Sequence, residues 1–222
     1  MQTLLFDIDG TLLLTNNGGR GALQLALEHE FELDDAKVDI AFCGRTDRDL
    51  VDELLIVNDR EPNDENRQRL QRVYLSLFPK VLNDFGGELL PGVAELLGQL
   101  AEDSQLCLSV MTGNFHESAI HKLDHFGIRH YFQFIVGGDH DAHRDDLARR
   151  AREKILQMSG EAATRRVIVV GDTPADIRCA HAIGARAIGV CTGNYDRESL
   201  EAERPFIVLD DLSDIAAFAK LL

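Results

Sequence analysis

Apolar and polar residues follow two different rhythms along this chain. From Leu89 onward, short runs that are apolar throughout give way to stretches in which apolar residues return every three or four positions. Leu106–Met111, Phe132–Val136, Arg166–Val170, Ala187–Val190 and Phe206–Leu209 read as strands. Gly92–Glu102, Asn114–Phe126, Arg144–Met158, Ala175–Ile183 and Leu212–Leu222 read as helices. Strands that are apolar on both faces must be covered on both faces. The alternation therefore predicts an α/β fold, a parallel sheet with helices on either side. A further run of this kind, Thr3–Phe6, opens the chain.

Between about Thr15 and Gly87 the rhythm changes. Arg20–Phe31, Asp47–Asn58 and Asn63–Phe85 carry helical patterns with no convincing strand between them. Gly18, Gly19 and Gly21 lie at one junction, and Gly86 and Gly87 at the other. The expectation is an all-helical cap over residues 16–87, inserted on two glycine-containing hinges. Residues 1–15 and 88–222 would then form the core.

Composition narrows the partners more than the fold. With 222 residues, 45% apolar and 27% charged, the chain can bury a full core. Its net charge of −15 argues against nucleic acid or an anionic membrane, both of which need clustered cations. An anionic substrate would then need local arginines or a metal to overcome that field. Cys43, Cys107, Cys179 and Cys191 are far apart, with no C-x-x-C, and read as reduced, mostly buried thiols. No apolar run approaches the ~20 residues of a membrane span. The chain starts on a polar residue and a strand rather than a basic-plus-apolar leader. A soluble, cytoplasmic protein is expected, as a monomer or small homo-oligomer.

Candidate chemistry collects at the ends of the strands. Asp7 and Asp9 bracket one apolar residue directly after Phe6, and Gly10 breaks the pattern there. Two carboxylates so close are costly unless a cation holds them, and a hard divalent ion such as Mg2+ does so well. Thr112-Gly113-Asn114 follows the strand ending at Met111, a hydroxyl and backbone N–H groups suited to cradle a phosphate. Arg144 opens a helix, and Gly171-Asp172-Thr173-Pro174-Ala175-Asp176 follows the strand ending at Val170. Each alone is an ordinary turn or helix cap. Their order, each at the carboxyl end of a different strand, is what points to one site.

Taken together, D-I-D-G-T-L, then T-G-N, then a basic residue, then G-D-T-P-A-D resemble the haloacid dehalogenase-like superfamily of phosphohydrolases. The resemblance covers nearly the whole chain and is strongest to the branch of phosphoglycolate phosphatases and beta-phosphoglucomutases. That branch often has Lys-Pro at the basic motif, where this chain reads His143-Arg144-Asp145-Asp146. The resemblance implies a Rossmann-like core and a Mg2+-dependent phosphatase of a small phosphorylated metabolite. Asp7 would be the nucleophile that becomes an aspartyl-phosphate, and Asp9 the proton carrier. Mg2+ would be bound by Asp7, the Asp9 backbone carbonyl and Asp172, with Asp176 in support. Thr112, Gly113, Asn114 and Arg144 would hold the phosphoryl oxygens. The cap loop Gly44–Arg48 would set specificity through Arg45 or Arg48, against the plainer reading of a capped helix with solvated arginines.

Rival functions are separable on chemical grounds. A phosphomutase would keep the same core, but no lysine lies in Gly44–Asp47 to orient a sugar phosphate. A dehalogenase needs neither a leaving-group acid nor a metal, so Asp9 and Asp172 would have no purpose. A phosphonate-cleaving relative usually lacks the second aspartate. Receiver modules are about half this length and place the accepting aspartate later. A pyrophosphatase or a catalytically silent relative remains open, as does the substrate itself. Among the histidines from His116 to His143, His121 and His125 lie one helical turn apart, but no H-E-x-x-H or Cys partner supports a zinc site, and they read as solvated or core-edge residues.

Overall fold

The apolar run that opens the chain forms β1 (Gln2–Phe6), the strand next to the middle of a six-stranded sheet. A computed structural model describes all residues, 1–222. After β1 come β2 (Leu13–Leu14) and three helices, α1 (Gly18–Phe31), α2 (Asp47–Val57) and α3 (Asp64–Phe85). Next are β3 (Glu88–Leu89), α4 (Val93–Ala101), β4 (Leu106–Met111), α5 (His116–His125), β5 (Ile135–Val136), α6 (Arg144–Ser159) and the short α7 (Glu161–Thr164). The chain closes with β6 (Val167–Gly171), α8 (Pro174–Ala182), β7 (Arg186–Val190), α9 (Arg197–Ala202), β8 (Ile207–Leu209) and α10 (Ile215–Ala219).

All pairings in the large sheet are parallel, in the order β5-β4-β1-β6-β7-β8. Its apolar strands alternate between two cores, as the two-residue period of a strand requires. Leu4, Phe6, Leu108, Val110, Ile168 and Val170 pack on one face with α4, α5 and α10. Leu5, Cys107, Val167 and Val169 pack on the other with α6 and α8. The expected α/β class, a parallel sheet covered on both faces, is the observed one. No helix is long and apolar enough to cross a membrane.

The three helices between the first strand and β3 bury a third cluster of their own, including Leu27, Leu54, Leu70, Tyr74 and Phe78. Phe115, at the entry to α5, belongs to that cluster and ties it to the sheet. The two crossings are zipped by an antiparallel pair, Leu13 with Leu89 and Leu14 with Glu88. Gly18, Gly19 and Gly21 are not a hinge loop: they form the first turn of α1, where Gly21 gives room to the Phe85 ring. The unusual backbone lies just before, at Asn16 and Asn17 (φ 47° and 67°).

Three other elements are shorter than the periodicity suggests. The helix expected over Asn114–Phe126 starts at His116, because Asn114 and Phe115 are spent on contacts at the sheet edge. The strand expected over Phe132–Val136 narrows to Ile135–Val136 after a tight turn at Arg129–Tyr131. The closing helix begins only at Ile215, where the Asp214 carboxylate accepts the Ala217 N–H at 2.9 Å and caps it.

Candidate active site

Five loops leave the sheet at the carboxyl ends of β1, β4, β5, β6 and β7, and the helices over residues 18–85 lie across them. Between the two layers is a cavity of about 530 Å3, lined by Asp7, Asp9, Thr112, Arg144 and Asp172 from below. Arg20, Phe42 and Tyr74 are among its upper lining.

Asp7 leaves β1 with its carboxylate buried, 3.3 Å from Nη2 of Arg144. The same nitrogen forms an ion pair with Asp176 Oδ1. Asp176 Oδ2 accepts from the Thr173 N–H and hydroxyl at 3.0 and 2.6 Å, a capping box that opens α8. Both Asp176 oxygens are therefore committed. Arg144 is itself buried, and its Nε has no partner. Its guanidinium nonetheless lines the cavity, with Nη1 beside Gly113, and so presents positive charge to an anion there.

Asp172 follows β6 and accepts from the Thr11 hydroxyl at 3.0 Å. The backbones of Gly10 (φ 82°) and Gly193 close on its carboxylate so tightly that a Cβ on either would overlap it. Burial pushes Asp7 up to about 6, with Arg144 opposing. Burial, then the neighbouring Asp176 and Asp7, raise Asp172 well above the usual carboxylate range. Oxygens of Asp7, Asp172 and Asp176 lie within 4.8 Å of one another. Each of the three offers a carboxylate oxygen toward a cation, Asp176 while also held by Arg144 and Thr173. Two crowded, desolvated carboxylates that strain to ionise fit a hard divalent ion.

Asp9 behaves differently from Asp7. Its side chain is about two-fifths exposed and accepts from Asn114 Nδ2 at 2.7 Å. Lys122 Nζ lies 2.7 and 2.6 Å from its two oxygens. Asn114 Nδ2 also donates to the Thr112 hydroxyl at 2.7 Å, and the Asn114 N–H does so at 3.3 Å. The fully buried Thr112 hydroxyl thus accepts from its neighbours and keeps its proton to donate. The Asn114 side chain is occupied by Asp9, Thr112 and Lys122.

The helical layer grips this edge. Asp47 N donates to Gly113 O at 2.7 Å, and Phe115 N donates to Asp47 Oδ2 at 2.7 Å. Burial pushes the Asp47 carboxyl up to about 7. Gly113 has no room for a Cβ, which would overlap the Arg45 carbonyl. Arg45 lines the cavity, but its guanidinium binds Asp49 at 2.6 Å and also Glu53, both on α2. Arg48 is likewise taken by Asp52 at 2.6 Å. Arg20 instead donates to the Ile40 carbonyl at 2.9 Å and stacks over Phe42, with no carboxylate partner.

The structure thus gathers Asp7, Asp9, Thr112, Gly113, Asn114, Arg144, Asp172 and Asp176 at one sheet edge. It adds residues that sequence reasoning missed: Thr11, Asp47, Lys122 and the loop Thr192-Gly193-Asn194. That loop repeats the T-G-N of Thr112-Gly113-Asn114 after another strand, a signal the sequence did carry. Thr192 donates to Gly10 O at 2.6 Å.

Comparison with known proteins bears on the family and the fold. The family described as haloacid dehalogenase-like hydrolase matches residues 4–190. The chain is 29% identical to a probable phosphatase, IndB, of Dickeya dadantii over 221 residues, 99% of this chain and 94% of that one. It is 29% identical to a phosphoglycolate phosphatase of Pectobacterium atrosepticum over 97% of this chain and 91% of the other. Among solved structures, CbbY of Rhodobacter sphaeroides in complex with phosphate superposes with a TM-score of 0.74 at 20% identity, covering 97% of this chain and 96% of CbbY.

Proposed function

The chain belongs to the haloacid dehalogenase-like hydrolase family, and from that premise we propose that it is a Mg2+-dependent phosphatase of a small phosphorylated metabolite. The observation that carries the reading is the buried Arg144 guanidinium lining the cavity, set beside Asp7 among crowded carboxylates. One wall calls for an anion and the other for a cation. A phosphoryl group and a divalent metal supply both.

Asp7 attacks the phosphorus in line, forming an aspartyl-phosphate as the ester bond breaks. Asp9 gives the departing oxygen its proton and later takes one from the water that hydrolyses the intermediate. The Arg144 guanidinium and the Thr112 hydroxyl hold the phosphoryl oxygens as charge spreads over them. Asp176 fixes Arg144 and would support the metal from the same side. Asp7, Asp172 and the Asp9 carbonyl would hold Mg2+, which offsets the repulsion between Asp7 and an anionic substrate. Residues 16–87 serve as the cap over this core. Arg45 shapes its wall while its charge is spent on Asp49 and Glu53, so Arg20 is the cap cation better placed to meet a substrate's far end. Relatives named phosphoglycolate phosphatase favour a short organic phosphate, and a cavity of about 530 Å3 suits one.

The test is phosphate release from a panel of phosphorylated metabolites, with and without Mg2+, beside Asp7→Asn. We expect turnover on a few small substrates, lost without the metal and reduced by at least about 10⁴-fold in the variant. Activity that survives Asp7→Asn would refute the nucleophile assignment.

A further inference from the structure

Lys122 has no task in that scheme, yet the fold goes to some lengths to place it. It sits within α5 with only 3% of its side chain exposed. Its ammonium has three donors. Two meet the two oxygens of Asp9 at 2.7 and 2.6 Å, and it also lies 2.7 Å from Asn114 Oδ1. Asn114 closes the ring by donating to Asp9 Oδ2 at 2.7 Å. On its other side the ring of Phe78, from α3, lies 5.8 Å from Nζ. Tyr74 and Phe115 continue that aromatic cover, with centroid separations of 5.3 and 5.9 Å.

This pair is lopsided. The lysine is enclosed, whereas Asp9 is open to the cavity. Burying an ammonium is costly, and an apolar residue in its place would serve packing as well or better. A buried cation that spends its donors on one exposed catalytic carboxyl group and its neighbour fits a chemical purpose better than a structural one. Cover by the cap aromatics also lowers the local dielectric and strengthens the Lys122–Asp9 attraction.

We propose that Lys122 is a positioning residue for proton transfer, aiming the Asp9 carboxyl group at the leaving-group oxygen. As the bond from Asp7 Oδ to phosphorus forms, the ester P–O bond breaks and its electron pair stays on the leaving oxygen. That oxygen takes the proton of Asp9. Lys122 keeps its own three protons and stabilises the carboxylate that Asp9 becomes.

The inference rests on the phosphatase reading, and the test separates the two. kcat/KM reports steps up to departure of the leaving group. An alkyl phosphate must have its leaving alkoxide protonated, whereas acetyl phosphate releases acetate, which needs no proton. With Mg2+ present, Lys122→Met should lose about 100-fold in kcat/KM on the alkyl phosphate, within the usual range for acid catalysis. It should lose less than about fivefold on acetyl phosphate, because only the protonated departure depends on Asp9. Lys122→Arg should recover part of the loss. Asp9→Asn combined with Lys122→Met should be no worse than Asp9→Asn alone, since both act through one group. Equal losses on both substrates, or none, would overturn the assignment. Lys122→Gln gives the same ratio should the methionine variant fail to fold. If the unaltered protein cleaves neither substrate, the phosphatase reading falls and takes this one with it.

Discussion

Gly193 sets how closely backbone can approach Asp172. A Cβ at that position would overlap the carboxylate, as one at Gly10 would from the other side. Gly193→Ala is therefore expected to displace the Asp172 carboxylate, a proposed metal ligand, without touching the hydrophobic core. The Mg2+ concentration for half-maximal phosphatase activity should rise by about tenfold or more, the usual cost of a disturbed metal ligand, while far-UV circular dichroism stays unchanged. An unaltered Mg2+ requirement would separate Gly193 from the metal. At this scale the sequence is legible only in part. Asp7, Asp172 and Asp176 stand in turns at strand ends, where their residue types are informative. Lys122 lies in the middle of an amphipathic helix, where lysine is ordinary. Only the packing of α3 and the sheet edge against α5 gives that lysine a partner 113 positions away.

Among the elements, α8 shows how a helix start can also be site architecture. Thr173 is its N-cap, Pro174 its first residue, and Asp176 returns the cap's hydrogen bond. The carboxylate that completes the capping box also holds Arg144. Thr173→Ala should cost about 1 kcal/mol, lowering Tm by about 2–4 °C in a chain of this size. It should also reduce kcat, because Asp176 loses part of what fixes it. A drop in Tm with full activity would mean that Asp176 needs no such support. The long elements were legible because their apolar periods are strong: the run Arg166–Val170 marked β6, and the pattern Asp47–Asn58 marked α2. The two-residue strands β2 and β3 were not. Their pairing is a tertiary fact, made by chain ends that meet only once α1–α3 have turned back.

For the molecule as a whole, Asp47 is the group through which the helical layer grips the sheet edge. Its carboxyl stands at about 7 instead of an ordinary 3.8, chiefly through burial, with Lys122 opposing. A carboxyl raised in the folded state keeps a proton that the unfolded chain releases. Stability is therefore lost as pH climbs from about 4 to about 7, and is level beyond. Asp47→Asn retains an oxygen for the Phe115 N–H and escapes that loss. Relative to the unaltered protein it should gain on the order of 2 kcal/mol between about pH 5.5 and pH 8. Denaturant melts at the two pH values check this, and a pH-independent difference would show that Asp47 is ionised throughout. The strand order has a consequence for synthesis on the ribosome. β1, which leads into Asp7, the proposed nucleophile, is made before its neighbours β4 and β6, which begin only at Leu106 and Val167. Helices α1–α3 have their own apolar cluster and can collapse while β1 waits. A nascent chain is then catalytically mute until Asp172 has left the exit tunnel, so prematurely terminated products carry an aspartate but no phosphatase.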